Sequence, residues 1–219
     1  MGIHFGDITP VENTAASAAV TNGTAAAVST PQGITLDLNK GAVLDLEKSS
    51  PGLKKVMVGA SWDTAQAGED FDLDISALLI HAGGKIATAD DIIYFNHMEA
   101  SGVKLNKDNR TGAGDGDDET IDIDLDAIPQ SITGIVFVVN IFEAQERRQT
   151  FGMVNNSGIR LVDKEADKEI CRFSLKDDYA SSTGIVFAKL VRENGAWKFE
   201  AVGEGKVVRD LNGFVEMFS

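Results

Sequence analysis

The chain has 219 residues, 43% apolar and 25% charged, which suits one globular domain with or without an appendage. Its formal net charge of −14 repels the phosphates of nucleic acid and of anionic lipid, so neither is expected to bind unaided. A single cysteine, Cys171, excludes an internal disulfide framework and suits a reducing compartment.

No Lys or Arg precedes Lys40, so the basic start of a secretory signal is missing. Gly6 stands where a myristoylation motif after Gly2 needs Ser or Thr. Residues 10–32 are mostly Ala, Thr, Ser, Val, Asn and Gly, with no period and little bulk to bury. Residues 1–32 are therefore expected to form a flexible tail, and residues 33–219 the folded domain. From there the pattern is mostly strand. Ile34, Leu36 and Leu38 alternate with polar residues, as do Val56, Val58 and Ala60. Further strands are expected at 71–80, 91–95, 159–162, 170–175, 185–191 and 197–202. The clearest period-2 signal sets Ile121, Ile123 and Leu125 against Asp122, Asp124 and Asp126. Residues 132–142 read as a strand buried on both faces. They are too short to cross a membrane, and Asn140 interrupts them. Helix is sparse: a turn at 144–148, and a C-terminal helix over 207–218 covering one edge. Short Gly, Asn, Asp and Pro clusters between the strands predict an all-β fold, a β-sandwich of two mainly antiparallel sheets. A cytoplasmic location is the expectation.

Chemistry concentrates in residues 106–119. Asn106, Asp108, Asn109, Asp115, Asp117, Asp118 and Glu119 are all hard oxygen donors, and Gly112, Gly114 and Gly116 let the backbone curl. Lys107 and Arg110 are the segment's only counter-charges, so a compact form calls for a multivalent cation. Oxygen-only donors on a Gly-rich loop suit Ca²⁺, which takes about 6–8 oxygens in loose geometry. Zn²⁺ would want His or Cys, and neither is present there. A solvated acidic hairpin loop is the competing reading, since Gly and Asp are ordinary turn residues. A second acidic cluster, Asp72 and Asp74, shares one face of a strand whose other face carries Phe71, Leu73 and Ile75. Side-by-side carboxylates repel, so alone this reads as a solvent-facing edge; beside the loop it becomes the rigid half of an oxygen cage. Asp63 is a further candidate ligand.

Other motifs fail on spacing. The loop is not an EF-hand, because Arg110 falls where the fifth position needs a ligand. One Gly-Asp stretch cannot build a calcium β-roll. His4, His81 and His97 have no nucleophile motif beside them, and Ser61 lacks the second Gly of a nucleophile elbow. His97 reads as a hydrogen-bonded structural residue and Cys171 as packing. No enzymatic activity is expected.

Seven segments together resemble the TerD tellurium-resistance family. They are Gly59-Ala-Ser-Trp-Asp63, Phe71-Asp-Leu-Asp-Ile-Ser-Ala77, Ile93-Tyr-Phe-Asn-His97, residues 108–119, Arg148-Gln-Thr-Phe-Gly152, Ile159-Arg-Leu-Val-Asp163 and Trp197-Lys-Phe-Glu-Ala-Val-Gly203. The resemblance runs in unbroken order over about residues 33 to 218 and leaves 1–32 as an addition. It implies a sandwich holding two Ca²⁺ ions, a role in resistance to tellurite and other stresses, and a bacterial setting. It also implies partners among other tellurium-resistance proteins at the inner membrane. By that resemblance Asp72, Asp74, Asn106, Asp108, Asn109, Asp117, Asp118 and Glu119 are the ligands, with Asp115 and Asp63 as fainter candidates. Ca²⁺-dependent peripheral membrane docking, or a metal-dependent hydrolase, are the rival expectations.

Overall fold

The computed structural model describes residues 27–28, 35–64, 71–106, 116–175 and 179–219. The strands run β1 (Ala27–Val28), β2 (Leu36–Asp37), β3 (Val43–Asp45), β4 (Lys55–Thr64) and β5 (Leu73–His81). Then come β6 (Ile92–Ile93), β7 (Glu99–Ala100), β8 (Val103–Leu105), β9 (Glu119–Asp124) and β10 (Ile132–Ile141). The last four are β11 (Val154–Asp163), β12 (Lys168–Ser174), β13 (Gly184–Glu193) and β14 (Ala196–Lys206). Three short helices complete the set: α1 (Leu46–Ser49), α2 (Ala144–Arg147) and α3 (Leu211–Val215).

The strands form two seven-stranded sheets. One has the order β1-β3-β14-β13-β10-β5-β6 and the other β2-β12-β11-β4-β9-β8-β7. All pairings are antiparallel except β1 with β3 and β2 with β12. Little helix and two antiparallel-rich sheets match the fold class read from the alternation. Ala27–Val28, inside the stretch read as a tail, pairs in parallel with Val43–Leu44. Among the described residues, each sheet ends on both sides in a strand of two residues.

Period-2 alternation makes the core. Val56, Val58, Ala60 and Trp62 of β4, with Ile121 and Ile123 of β9, turn inward from one sheet. Leu73, Ile75, Ala77, Phe137, Val139, Phe187 and Phe199 meet them from the other. The central strand β10 is buried on both faces, as its unbroken apolar run requires. Its outward residues Val136 and Val138 join Leu78, Val186, Val208 and Phe214 in a second apolar cluster beneath α3. The contact is close. A Cβ on Gly184 of β13 would lie 2.6 Å from the Phe214 ring, so glycine is what lets the helix settle there. Asp210 caps α3 by accepting from the Asn212 N–H at 2.9 Å. Cys171 is fully buried in the core, and burial pushes its thiol far above the ordinary range. No helix among the described residues is long and apolar enough to cross a membrane.

A polar clasp ties the 3-10 turn at Ala89–Asp91 to the end of β5. The Asp91 carboxylate accepts from the backbone N–H groups of Thr88 (2.7 Å) and Ala87 (3.1 Å) and pairs with His81 Nε2 at 3.1 Å. Burial opposes its charge, but these bonds outweigh burial and hold the carboxyl below its usual value. A carboxyl depressed by folding adds stability above its unfolded pKa and loses it as pH falls through the folded one. Asp91→Asn is therefore expected to cost about 1–2 kcal/mol in urea unfolding at pH 7. The gap should close as pH falls below about 4; a gap that persists at lower pH would mean the effect is steric.

Candidate functional site

The site is built at one end of the sandwich, where the end of β4, the start of β5 and the start of β9 meet. Glu119 opens β9 on its inward side and is only 3% exposed. Its Oε2 accepts from the backbone N–H of Ile75 at 2.6 Å, bridging the two sheets and placing it one residue from Asp74. Asp118, 7% exposed, accepts at Oδ2 from the Trp62 N–H at 2.8 Å, while its own N–H donates to the Ala60 carbonyl. The end of the 106–119 segment is thus pinned to both β4 and β5 through carboxylates that cross from one element to another. Asp72 is held by its backbone, its carbonyl accepting from the Phe142 N–H at 2.7 Å. Asp74 stands opposite Asn140 in the register of β5 with β10. Asn106 ends β8 by donating from its backbone N–H to the Thr120 carbonyl and from Nδ2 to Thr120 Oγ1, both at 2.9 Å.

The neighbouring Asp117 turns the other way. It receives Arg160 Nε at 2.8 Å and Nη2 at 2.9 Å on the outer face of β4 and β11. Gly59 makes room for this pair, since a Cβ there would lie 2.2 Å from the Asp117 carboxylate. Arg160 also reaches Glu169 at 3.3 Å, and Asp63 accepts from Asn156 Nδ2 at 2.8 Å. Nothing in the local alternation announces that Asp117 and Asp118 part company. The signal that could have found it is Gly59, an inner-strand glycine beside a strand bearing an arginine. Asp108, Asn109 and Asp115 lie outside the described residues.

Negative charge is crowded at Asp118. Burial pushes the Asp118 carboxyl above its ordinary value; the Trp62 N–H pulls it back, and the nearby Asp63 and Asp117 carboxylates push it up again. All the candidate donors are oxygens, which fits a hard divalent ion and not zinc. Among the described residues no group of three or more His, Cys, Asp or Glu side chains is placed to hold a metal. His97 is accounted for: its Nδ1 donates to the Ile92 carbonyl at 2.9 Å.

Residues 34–218 match the family model of the TerD domain. The chain is 45% identical over 175 residues to the tellurium resistance protein TerD of Serratia marcescens, covering 78% of this chain and 91% of that one. It is 44% identical over 176 residues to general stress protein 16U of Bacillus subtilis (strain 168), with the same coverages. Among solved structures it resembles a homologue of the telluride resistance protein TerD from Streptomyces coelicolor A3(2). The TM-score is 0.61 at 25% identity, over 77% of this chain and 99% of that one.

Proposed function

The chain belongs to the TerD family of tellurium-resistance and stress-response proteins, and from that premise we propose that it works as a Ca²⁺-binding module, scaffolding partners rather than catalysing a reaction. The observation that carries this is the pair of buried carboxylates, Asp118 and Glu119, each fastened to a different strand at the end of the sandwich where Asp72 and Asp74 begin β5. Asp118 and Glu119, with Asp72 and Asp74, would hold the ion or ions from the rigid side. Asn106, with Asp108, Asn109 and Asp115, would complete the oxygen shell. Bound Ca²⁺ supplies positive charge that offsets the crowded carboxylates. The chain's own residues supply the frame: the Trp62 and Ile75 N–H groups orient the two acids, and Arg160 takes up Asp117.

A cytoplasmic setting and partners among other resistance proteins follow from the same reading. The rival in which Ca²⁺ bridges the protein to anionic lipid predicts calcium-dependent pelleting with phosphatidylserine vesicles, and a scaffolding module predicts none. Isothermal titration tests the central claim. Two Ca²⁺ ions should bind, with Mg²⁺ much weaker because it demands tight octahedral geometry and keeps its waters. Absence of Ca²⁺ binding at millimolar concentration would overturn the reading.

A further inference from the structure

A cavity with a mainly apolar lining and a few polar groups lies on the outer face of the first sheet, between β10, the turn after β6 and the start of α3. It encloses about 300 Å³, roughly ten waters' worth, which is large for a bare ion and within the range of small-ligand pockets. Its floor is Asn140, only 6% exposed, whose Oδ1 makes no hydrogen bond. Asn140 stands between Asp74 on β5 and Gly184 on β13 in the strand register. An orphaned buried acceptor is costly, by about 1–3 kcal/mol, unless a donor arrives from outside the chain. Two carboxylates, Asp74 and Asp210, line the cavity together with the Ser76 and Tyr94 hydroxyls and the Asn212 amide, which can donate as well as accept; Asp210 also caps α3. The wall is aromatic: Tyr94 and Phe95 meet edge to face at 5.4 Å, and Phe95 is 47% exposed. Phe142, on the same wall, carries the Arg147 guanidinium 5.3 Å from its ring centroid, and Glu143 pairs with that arginine.

We propose that this cavity binds a protonated alkylamine, the ammonium group donating to Asn140 Oδ1 and the cavity's carboxylates while the carbon stem lies against Phe95 and Tyr94. Several acceptors and an aromatic wall select a donor-rich organic cation over an anion, and a metal ion would gain nothing from the apolar wall. The ammonium can come from a free diamine or from a lysine side chain, since both present the same group. The site is separate from the proposed calcium centre in all but Asp74.

The test is calorimetric titration of the full chain, saturated with Ca²⁺ and again in chelator, with 1,4-diaminobutane, Nα-acetyl-lysine amide and uncharged 1-butanol. Either amine should bind at least about tenfold more tightly than butanol, and the stronger of the two identifies the source. Asn140→Val removes the orphaned acceptor and should weaken amine binding about tenfold without lowering the melting temperature. Asp210→Asn keeps a good helix cap while removing the charge, and should weaken the amines but not butanol. Equal binding of amine and butanol, indifference to both variants, or displacement of the amine by Ca²⁺ at Asn140 would each overturn the proposal.

Discussion

Adding Ca²⁺ to the metal-free chain should raise its melting temperature by roughly 5–11 °C per site at a hundredfold excess over Kd. The reason is linkage: an ion bound only by the folded form contributes about 2.7 kcal/mol at that excess, and a domain of this size shifts about 2–4 °C per kcal/mol. The double substitution Asp118→Asn with Glu119→Gln should abolish most of the rise. Both replacements keep an oxygen to accept from Trp62 and Ile75, so the hydrogen bonds at 2.8 and 2.6 Å can persist while the charge is gone. Asp117→Asn should behave differently. Its carboxylate serves Arg160 on the outer face of β4 and β11, so that change should leave the calcium response nearly intact. Differential scanning calorimetry of the three proteins, each with and without Ca²⁺, decides the matter. Identical shifts in all three would remove Asp118 and Glu119 from the metal site.

Phe214→Ala should be the most damaging single truncation outside the sandwich interior, at about 3–5 kcal/mol. The ring is fully buried in the second apolar cluster, against the outward faces of β5, β10 and β13, and anchors α3 to the sheet. At five residues, α3 cannot hold itself together by helix propensity, so its order rests on that packing. Gly184→Ala approaches the same ring from below and should also destabilise, by overpacking of about 1–3 kcal/mol. Urea unfolding measures both as a lower midpoint at unchanged slope. A loss under about 1 kcal/mol for Phe214→Ala would mean the helix is an accessory.

The comparison of sequence with structure turns on where a pattern has room to repeat. β9 is legible because Ile121 and Ile123 alternate with acids over six residues, and both isoleucines are buried. β10 is legible for the opposite reason, since covered faces on both sides leave no polar residue between Thr133 and Asn140. β3, β7 and β8 have two or three residues each, too few for any period; β3 and β8 are placed by the distant β14 and β9, and β7 by its hairpin with β8. The helix expected over 207–218 is shorter, starting at the Asp210 cap and tightening to a 3-10 turn at Glu216–Phe218, because Val207 belongs to the exposed approach. In the candidate site, donor chemistry could be read directly from residue types. Direction could not: Asp117 and Asp118 are adjacent and chemically identical, and only the third dimension gives one to Arg160 and the other to Trp62. Asn140 shows the same limit, reading as an interruption in an apolar strand until Asp74 and α3 are placed around it.

The two-residue margins of both sheets bear on how such a protein can assemble. A long bare margin is a template on which a neighbour's backbone can zip up; a margin two residues long offers almost no ladder to extend. A neighbour's backbone would find its longer ladder not on these short strands but on the lengths of β5 and β12 that they leave uncovered.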